Sequence, residues 1–268
     1  MAAEERSMPF IKNLASSGTA SGFCPNRKAR DKALDTLRTF LTASTTARSL
    51  SPLENLKLWK GLFYSMYMCD RPIPQQNLCN ELASLLDILP DEAVIPWLVG
   101  FWDVMSREWT GIDVLRMEKF LLLVRRVLGR SLLWVHDGKG KKGDKRKQDM
   151  LALFIDWPFE TTGDLKKVPV GLRLHVLDIW IDEAEKVGLV GEDATEKDAE
   201  WLVDLKGILD EMIKNTVKPI KSKAKDSVAD ERLPWNVAEE GEGSDEDEDE
   251  EMPEAGEEQE DGWGGFKD

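Results

Sequence analysis

The sequence predicts an all-α fold, and three observations support this prediction. Apolar residues recur at helical spacing in eight segments, most of them bounded by a capping residue, Pro or Gly. Alternating β-branched runs closed by Asn-Gly or Asp-Gly turns, which indicate strands, are nearly absent. The predicted odd-numbered helices also begin at regular intervals, near residues 27, 72, 113 and 168.

These starts are 45, 41 and 55 residues apart, and a loop predicted at 136–148 lengthens the last interval. A period of about 40–47 residues with two helices per unit is typical of HEAT and armadillo repeats. We therefore predict a HEAT/armadillo-like helical-repeat solenoid of about four helix pairs. An irregular helical bundle is the alternative, because it would show the same caps.

The first two predicted helices differ in how clearly they begin. The first runs from about residue 27 to residue 43, with apolar residues on one face. The second begins at Ser51, which caps the helix. Pro52 takes the first helical position and Glu54 completes a capping box. This is the clearest helix start in the sequence.

The next three helices are bounded by Pro, Gly and Asp. The third follows Pro72 or Pro74 and stops at Pro90, and Asp91 is predicted to cap the fourth. Gly111 separates the fourth helix from the fifth, which Asp113 caps. The fifth helix is apolar nearly all round, and such a helix is usually central in its domain.

Three shorter or later patterns complete the helical domain. The sixth helix includes residues 150–157, the seventh runs from about 169 to 187 with Gly188 as its stop, and the eighth runs from about 195 to 214. Eight of the ten Trp residues lie inside the apolar patterns and are predicted to be core residues. They are Trp59, Trp97, Trp102, Trp109, Trp134, Trp157, Trp180 and Trp201.

The charge of −15 is concentrated at one end of the chain. Residues 236–268 contain 16 acidic residues and one Lys, whereas the rest of the chain is balanced. Such a composition predicts a disordered acidic tail. The tail is open to three interpretations: it holds basic proteins, it competes with RNA for the chain's own cations, or it keeps the protein soluble.

The predicted organisation has four parts. An N-terminal segment covers 1–26, and the helical-repeat domain covers 27–215 with a basic loop inserted at 136–148. A basic linker with a Leu-Pro-Trp-Asn segment covers 216–235, and the acidic tail covers 236–268.

The residue types argue against an enzyme. His136 and His175 are the only histidines, and the sequence has no phosphate-binding loop of the GxxxxGK[ST] type. The three cysteines form no CxxC pair, which predicts no metal site and a reducing compartment. We therefore expect no catalysis and no cofactor. We also expect no membrane segment, because the sequence has no uncharged apolar run of about 18 residues.

The basic loop is the strongest positive signal for function. Between Gly138 and Lys147 it has six cations and three glycines, a composition suited to RNA phosphates. A nuclear import signal and a merely solvated loop are the alternatives. Three further cations of the fourth and fifth helices are grouped with it. The predicted RNA-binding residues are Lys139, Lys141, Lys142, Lys145, Arg146, Lys147, Arg107, Arg116 and Lys119.

Five segments occur in the order seen in a known family. They are Phe10–Ala15, Arg27–Leu34, Leu56–Tyr64, Phe101–Trp102 and Arg107–Phe120. With these segments the chain resembles the ribosomal RNA-processing protein 1 family of nucleolar proteins, over residues 8 to about 215. Leu-Trp-Lys-Gly-Leu-Phe-Tyr and Arg-Glu-Trp-Thr-Gly-Ile-Asp are its most specific parts.

The resemblance implies a HEAT-like domain in the nucleus. Within the nucleus it implies action in the nucleolus, on early precursors of the large ribosomal subunit. It implies a role in processing the spacer RNA upstream of the 5.8S sequence, without nuclease activity. It also implies pre-60S assembly factors with Brix and propeller domains as partners. The chain looks like a short form of the family.

Both lines of reasoning lead to one hypothesis, a non-catalytic scaffold of the 60S precursor that binds precursor ribosomal RNA and other assembly factors. The alternative is a protein-only adaptor, or an acidic chaperone for basic ribosomal proteins or histones, in which the tail does the binding.

Overall fold

The computed structural model describes residues 27–43, 50–191 and 194–236, with the backbone alone for 27–30. The predicted segment 1–26, Cys24 and the acidic tail beyond Asn236 lie outside the described residues. Within the described ranges the chain forms nine α-helices and two short 3-10 turns. The helices are α1 (Arg27–Thr42), α2 (Pro52–Tyr67), α3 (Pro72–Ala83), α4 (Asp91–Glu108), α5 (Val114–His136), α6 (Gly140–Asp156), α7 (Val170–Lys186), α8 (Glu196–Asn215) and α9 (Lys218–Val228).

The helices stack in two layers. One layer contains α2, α4, α6 and α8, in which each helix contacts the next one of the layer. The other contains α3, α5, α7 and α9 in the same manner, and α1 packs beside it on the 3-10 turn Ser84–Ile88. The predicted all-α helical-repeat fold is therefore confirmed, with α9 added at the C-terminal end of the described chain.

Helix α5 lies at the centre of this arrangement. It contacts α3 and α7 in its own layer and α2 and α6 in the other. Buried residues run from Lys119 to Val135, whereas Val114 and Leu115 in the first turn are exposed. The prediction that the fifth helix is central is confirmed, because helices of both layers pack against it.

Tryptophan side chains build much of the contact between α2 and α4. The Trp59 ring is 4.8 Å from Trp97 and 4.9 Å from Phe101, and its Nε1 donates to the Trp97 carbonyl at 2.8 Å. Gly100 allows this approach, since a Cβ there would lie 3.0 Å from the Trp59 ring. Of the eight predicted core Trp residues, seven are buried and Trp157 is partly buried.

Two helix starts have capping boxes, of which the one at Ser51 was predicted. Ser51 and Glu54 exchange side-chain and backbone hydrogen bonds at the start of α2, and Thr195 and Asp198 do the same at the start of α8. Gly188 ends the seventh helix with a φ of 81°, a conformation that favours glycine. The local rules for capping therefore hold at these three positions.

Asp91 does not cap the fourth helix as predicted. Pro90 occupies the capping position and Asp91 is the first helical residue. The carboxylate of Asp91 instead accepts hydrogen bonds from Arg146, 55 residues away. A distant cation thus competes successfully with the local backbone donors.

The segment between α6 and α7 is held by a buried ion pair. The Arg173 guanidinium contacts the Glu160 carboxylate at 2.6 Å, and both side chains are fully buried. Arg173 also donates to the carbonyls of Val168, Glu160 and Asp164. One α7 side chain therefore fixes this irregular connection, which sequence periodicity does not reveal.

We expect Trp59→Ala to lower the free energy of unfolding by about 3–5 kcal/mol, because it removes a large buried ring and leaves a cavity. Leu53 is 57% exposed on the same helix, so Leu53→Ala is the control and should change stability by less than about 1 kcal/mol. Denaturant unfolding monitored by circular dichroism measures both. Equal effects of the two substitutions would contradict the packing described here.

Candidate nucleic-acid interface

The predicted basic loop at 136–148 is wrong from Gly140 onward, because these residues form the first half of helix α6. The three glycines make the turn from α5 into α6. A Cβ on Gly143 would lie 2.4 Å from the Gly138 carbonyl oxygen, and Gly140 has a φ of 57°. The glycines therefore allow the backbone segments of this turn to pack closely. The sequence alone instead indicates flexible residues that let the loop follow an RNA surface.

The first half of α6 has two faces of different character. One face packs against the neighbouring helices and contains four residues at helical spacing, namely Gly143, Arg146, Lys147 and Met150. The other face is exposed and contains Lys141, Lys142 and Lys145, together with Lys139 at the capping position. We call these four exposed side chains the α6 lysine patch. The fold thus divides the six predicted cations into two groups.

Arg146 belongs to the inward group. Its guanidinium lies 4.9 Å from the centre of the Trp134 ring, donates to the Trp134 carbonyl at 3.0 Å and contacts Asp91 at 2.8 Å. Burial alone raises the pKa of Asp91, but hydrogen bonds from Arg146 and Lys142 outweigh it and hold that pKa below its usual value. Arg146 therefore joins α6 to α4 and α5.

Lys147 joins α6 to α8. Its ammonium donates to the Lys197 carbonyl at 2.8 Å and to the Asp198 carboxylate at 2.9 Å. Burial alone raises the pKa of Asp198, but hydrogen bonds from Thr195 and Lys147 outweigh it and lower that pKa. Because Asp198 also closes the capping box of α8, Lys147 stabilises the start of that helix.

The α6 lysine patch concentrates positive charge at a helix start. The first turn of α6 contains no acidic residue, although the positive end of the helix dipole favours one. Lys142 pairs with Asp91 at 2.8 Å. Lys139, Lys141 and Lys145 have no ion pair with any described residue. The patch therefore presents uncompensated cations, together with the free N–H groups of a helix end, to the solvent.

Arg107 and Arg116 lie on the surface but have carboxylate partners. Arg107 forms a two-point contact with Asp103 one turn earlier in α4. Arg116 contacts Asp113 at 2.5 Å and lies 4.8 Å from the centre of the Tyr67 ring. The hydrogen bond to Asp113 raises the pKa of Arg116, and this outweighs the opposing effect of burial. Each has, however, a local role that competes with a partner's phosphate.

Lys119 is buried, in contrast to its predicted role in RNA binding. Its ammonium donates to the carbonyls of Tyr67 at 2.7 Å and Cys69 at 2.8 Å, which follow the last turn of α2. Burial lowers the pKa of Lys119. The side chain satisfies carbonyl groups that the end of a helix leaves without partners, so it is not presented to an external ligand.

The predicted basic linker at 216–235 is also wrong, because this segment packs onto the domain. Helix α9 buries Ile220 and Ala224, one turn apart, and Leu233 is buried beyond it. Trp235 donates from Nε1 to the Val228 carbonyl at 2.9 Å. The helical domain therefore extends past residue 215, and the Leu-Pro-Trp-Asn segment closes its end.

Both histidines are placed by the fold. His175 is partly buried and its Nε2 lies 3.0 Å from the Leu121 carbonyl, and burial lowers its pKa. His136 lies 3.6 Å from the Asp198 carboxylate.

In the part of the chain that the structure describes, no group of three or more His, Cys, Asp or Glu side chains is arranged to hold a metal ion. None of the helices described there is long and apolar enough to cross a membrane.

Comparison with known proteins identifies the family. A family model described as the nucleolar protein Nop52 matches residues 5–263. The chain belongs to this family. The predicted nucleolar location is confirmed by the family's description, and the resemblance to ribosomal RNA-processing protein 1 is confirmed by the relatives that follow.

The Nop52-family chain is similar to curated mammalian proteins over more than half of its length. It is 38% identical over 162 residues to ribosomal RNA processing protein 1 homolog A of Mus musculus, which covers 59% of this chain and 32% of that protein. It is 33% identical over 192 residues to homolog B of Mus musculus, covering 70% and 25%. Homolog B of Homo sapiens is 34% identical over 183 residues, covering 67% and 22%. The matches thus span about a third or less of these relatives.

The division of the cations was visible in the sequence of this Nop52-family chain. Gly143, Arg146, Lys147 and Met150 have the spacing of one helical face, and the pattern continues through Leu153 and Phe154. The composition of the segment, rich in Gly and Lys, indicates a loop and masks this spacing. Asp91 and Asp198, which fix the inward cations, could not be found because they are distant in sequence.

We expect Gly143→Ala to lower the free energy of unfolding by about 1–3 kcal/mol, since the new methyl group meets backbone atoms that cannot move independently. Gly207→Ala in α8 is the control, because a Cβ there meets nothing within 4 Å. It should stabilise the chain by about 0.5–1 kcal/mol through helix propensity. Thermal unfolding distinguishes the two. Stabilisation by both substitutions would contradict the tight turn.

The lowered pKa of Asp198 predicts a contribution to acid sensitivity. A carboxyl group whose pKa is lower in the folded state stabilises the fold above its unfolded pKa, and this stability is lost as the pH falls through the folded value. The free energy of unfolding should therefore fall less in Asp198→Asn than in the unchanged chain as pH is lowered from about 5 to about 2. Asp204→Asn, which removes an exposed carboxylate from the same helix, is the control. Parallel pH curves for all three proteins would be inconsistent with the Lys147–Asp198 contact.

Proposed function

We propose that this chain is a non-catalytic helical scaffold that acts in the processing of precursor ribosomal RNA for the large subunit. Its similarity to proteins named ribosomal RNA processing protein 1 supports the process. The observation that carries the RNA contact is the α6 lysine patch, in which three of four exposed lysines have no ion pair with a described residue.

The patch is suited to phosphates rather than to bases. Its four side chains are ammonium groups, which contact phosphate as point charges and do not read base edges. Its residues include no aromatic side chain on which a base would stack. Binding through the patch is therefore electrostatic and tolerant of sequence, as befits a protein that fixes the position of an RNA segment.

The anchoring of α6 determines how this charge is presented. Arg146 and Lys147 attach the helix to α4, α5 and α8, so the exposed lysines project from a fixed backbone. A fixed backbone loses less conformational freedom on binding than a flexible loop does. Arg107 and Arg116 are secondary candidates for RNA contact, since a phosphate would have to displace Asp103 or Asp113.

As partners we propose precursor ribosomal RNA and pre-60S assembly factors, among them Brix-domain and propeller proteins as the family resemblance implies. The adaptor for basic ribosomal proteins or histones remains the alternative, because residues 236–268 carry 16 acidic residues. Deletion of 237–268 separates the two. Loss of binding to a basic ribosomal protein with unchanged binding to precursor RNA would favour the adaptor.

We expect replacement of Lys139, Lys141, Lys142 and Lys145 by Gln to lower the affinity for precursor RNA. The same change should make this affinity depend less on salt concentration. The slope of log affinity against log salt should flatten by up to about 3–4 units if all four meet phosphates. Fluorescence anisotropy at several salt concentrations measures this slope.

A matched variant controls for net charge. Replacement of Lys186, Lys214, Lys218 and Lys225 removes the same four charges from α7, α8 and α9. It should flatten the slope less than the patch variant does. Equal slopes would assign RNA binding to overall charge. An unchanged slope in the patch variant, with its function in cells restored by an added import signal, would reduce the patch to a localisation signal.

A further inference from the structure

Helices α4 and α6 leave a groove between them on the layer of even-numbered helices. The groove has a volume of about 490 Å³. Its apolar lining residues are Ile95, Val99, Ala152, Leu153 and Trp157. Val99 is 39% exposed although it lies in the middle of a long helix. Aliphatic side chains at such positions usually face a neighbouring element, so this groove has an apolar surface without a partner among the described residues.

The rim of the groove is acidic. Asp91, Glu92, Asp149 and Asp156 line it, and Lys145 is its single cationic lining residue. Asp91 is occupied by Lys142 and Arg146, and Asp156 by Lys167.

Asp149 is the rim carboxylate that is left for a partner. It has no ion pair with any described residue, and it lines the same groove as the exposed Val99. Lys145, one turn before it in α6, marks the boundary between the cationic patch and the acidic groove.

We propose that this groove binds a short amphipathic segment of a partner protein, with apolar residues on the floor and a Lys or Arg residue against Asp149. Charge complementarity at Asp149 favours a cationic protein segment over RNA, because this carboxylate has no cation of its own among the described residues and would repel a phosphate. The proposal deepens the proposed function, because it names the surface through which the scaffold holds a protein neighbour.

The dimensions of the groove limit the size of this segment. The lining runs from residue 91 to 99 on α4 and from residue 145 to 157 on α6. At 1.5 Å per residue these stretches are about 12 and 18 Å long, which accommodates two to three turns of a helix. A helix laid in a groove with apolar contacts at every third or fourth residue is a common mode of peptide recognition. The partly exposed ring of Trp157 lies at one end of the groove. The Lys167 ammonium is 5.1 Å from the centre of this ring.

The test uses the full chain and a fluorescent 18-residue peptide with Leu on one helical face and Lys on the other. A scrambled peptide of the same composition is the comparison. The groove variant is Val99→Ser with Asp149→Asn. The control variant is Val203→Ser with Asp204→Asn, which removes an exposed aliphatic side chain and one carboxylate from α8. Because all variants keep the acidic residues 236–268, attraction of the peptide to that run is the same in each.

We expect the groove variant to bind the amphipathic peptide about tenfold more weakly than the control variant does. The scrambled peptide should bind weakly and equally to both. Hydrogen exchange should show protection of residues 91–103 and 149–157 when the amphipathic peptide binds. Thermal unfolding of both variants verifies that the fold is retained.

Three results would overturn the proposal. Equal binding of the peptide to both variants would show that the groove is not its site. A change in the chain's own association state in the groove variant alone would make the groove an interface between copies. Weaker binding of precursor RNA by the groove variant, with unchanged peptide binding, would assign the groove to RNA. The proposed function is tested separately by the α6 lysine patch, so either proposal can fail without the other.

Discussion

The fold depends on one constraint, that the apolar residues of helix α5 between Phe120 and Val135 must be buried against helices of both layers. No single helix pair can enclose it, so α3 and α7 flank it in one layer while α2 and α6 cover it from the other. This requirement fixes the order in which the remaining helices stack. It also places the turn into α6, where Gly138 and Gly143 touch, directly at the end of this central helix. The position of the candidate interface therefore follows from the enclosure of α5.

Local rules predicted much of this architecture, and they failed where distant residues decide. The capping boxes at Ser51 and Thr195 were readable because their partners lie three residues away. The helical state of residues 140–149 could not be predicted in this way, because Gly and Lys predominate there and the stabilising contacts come from α4 and α8. Helix α9 was missed for a similar reason: Ile220 and Ala224 are two small apolar signals among lysines.

The cations of the chain illustrate why composition cannot locate a binding surface. Lys119, Arg146 and Lys147 carry the same charge as the exposed lysines, yet they serve as internal hydrogen-bond donors to carbonyls and carboxylates. Burying a charged group is costly unless such partners are present. The partners are supplied by chain segments that sequence reading cannot bring together. The candidate site is thus smaller than the basic run in the sequence, and it is held more rigidly.

The two-layer stacking has a consequence for how the chain acquires its structure. Each helix packs mainly on helices one or two places away in the chain, so tertiary contacts join neighbouring repeats rather than distant parts of the chain. Low contact order of this kind is associated with rapid folding, and in stacked repeats stability is approximately a sum of neighbouring interfaces. The N-terminal helices can therefore pack while later ones are still being synthesised.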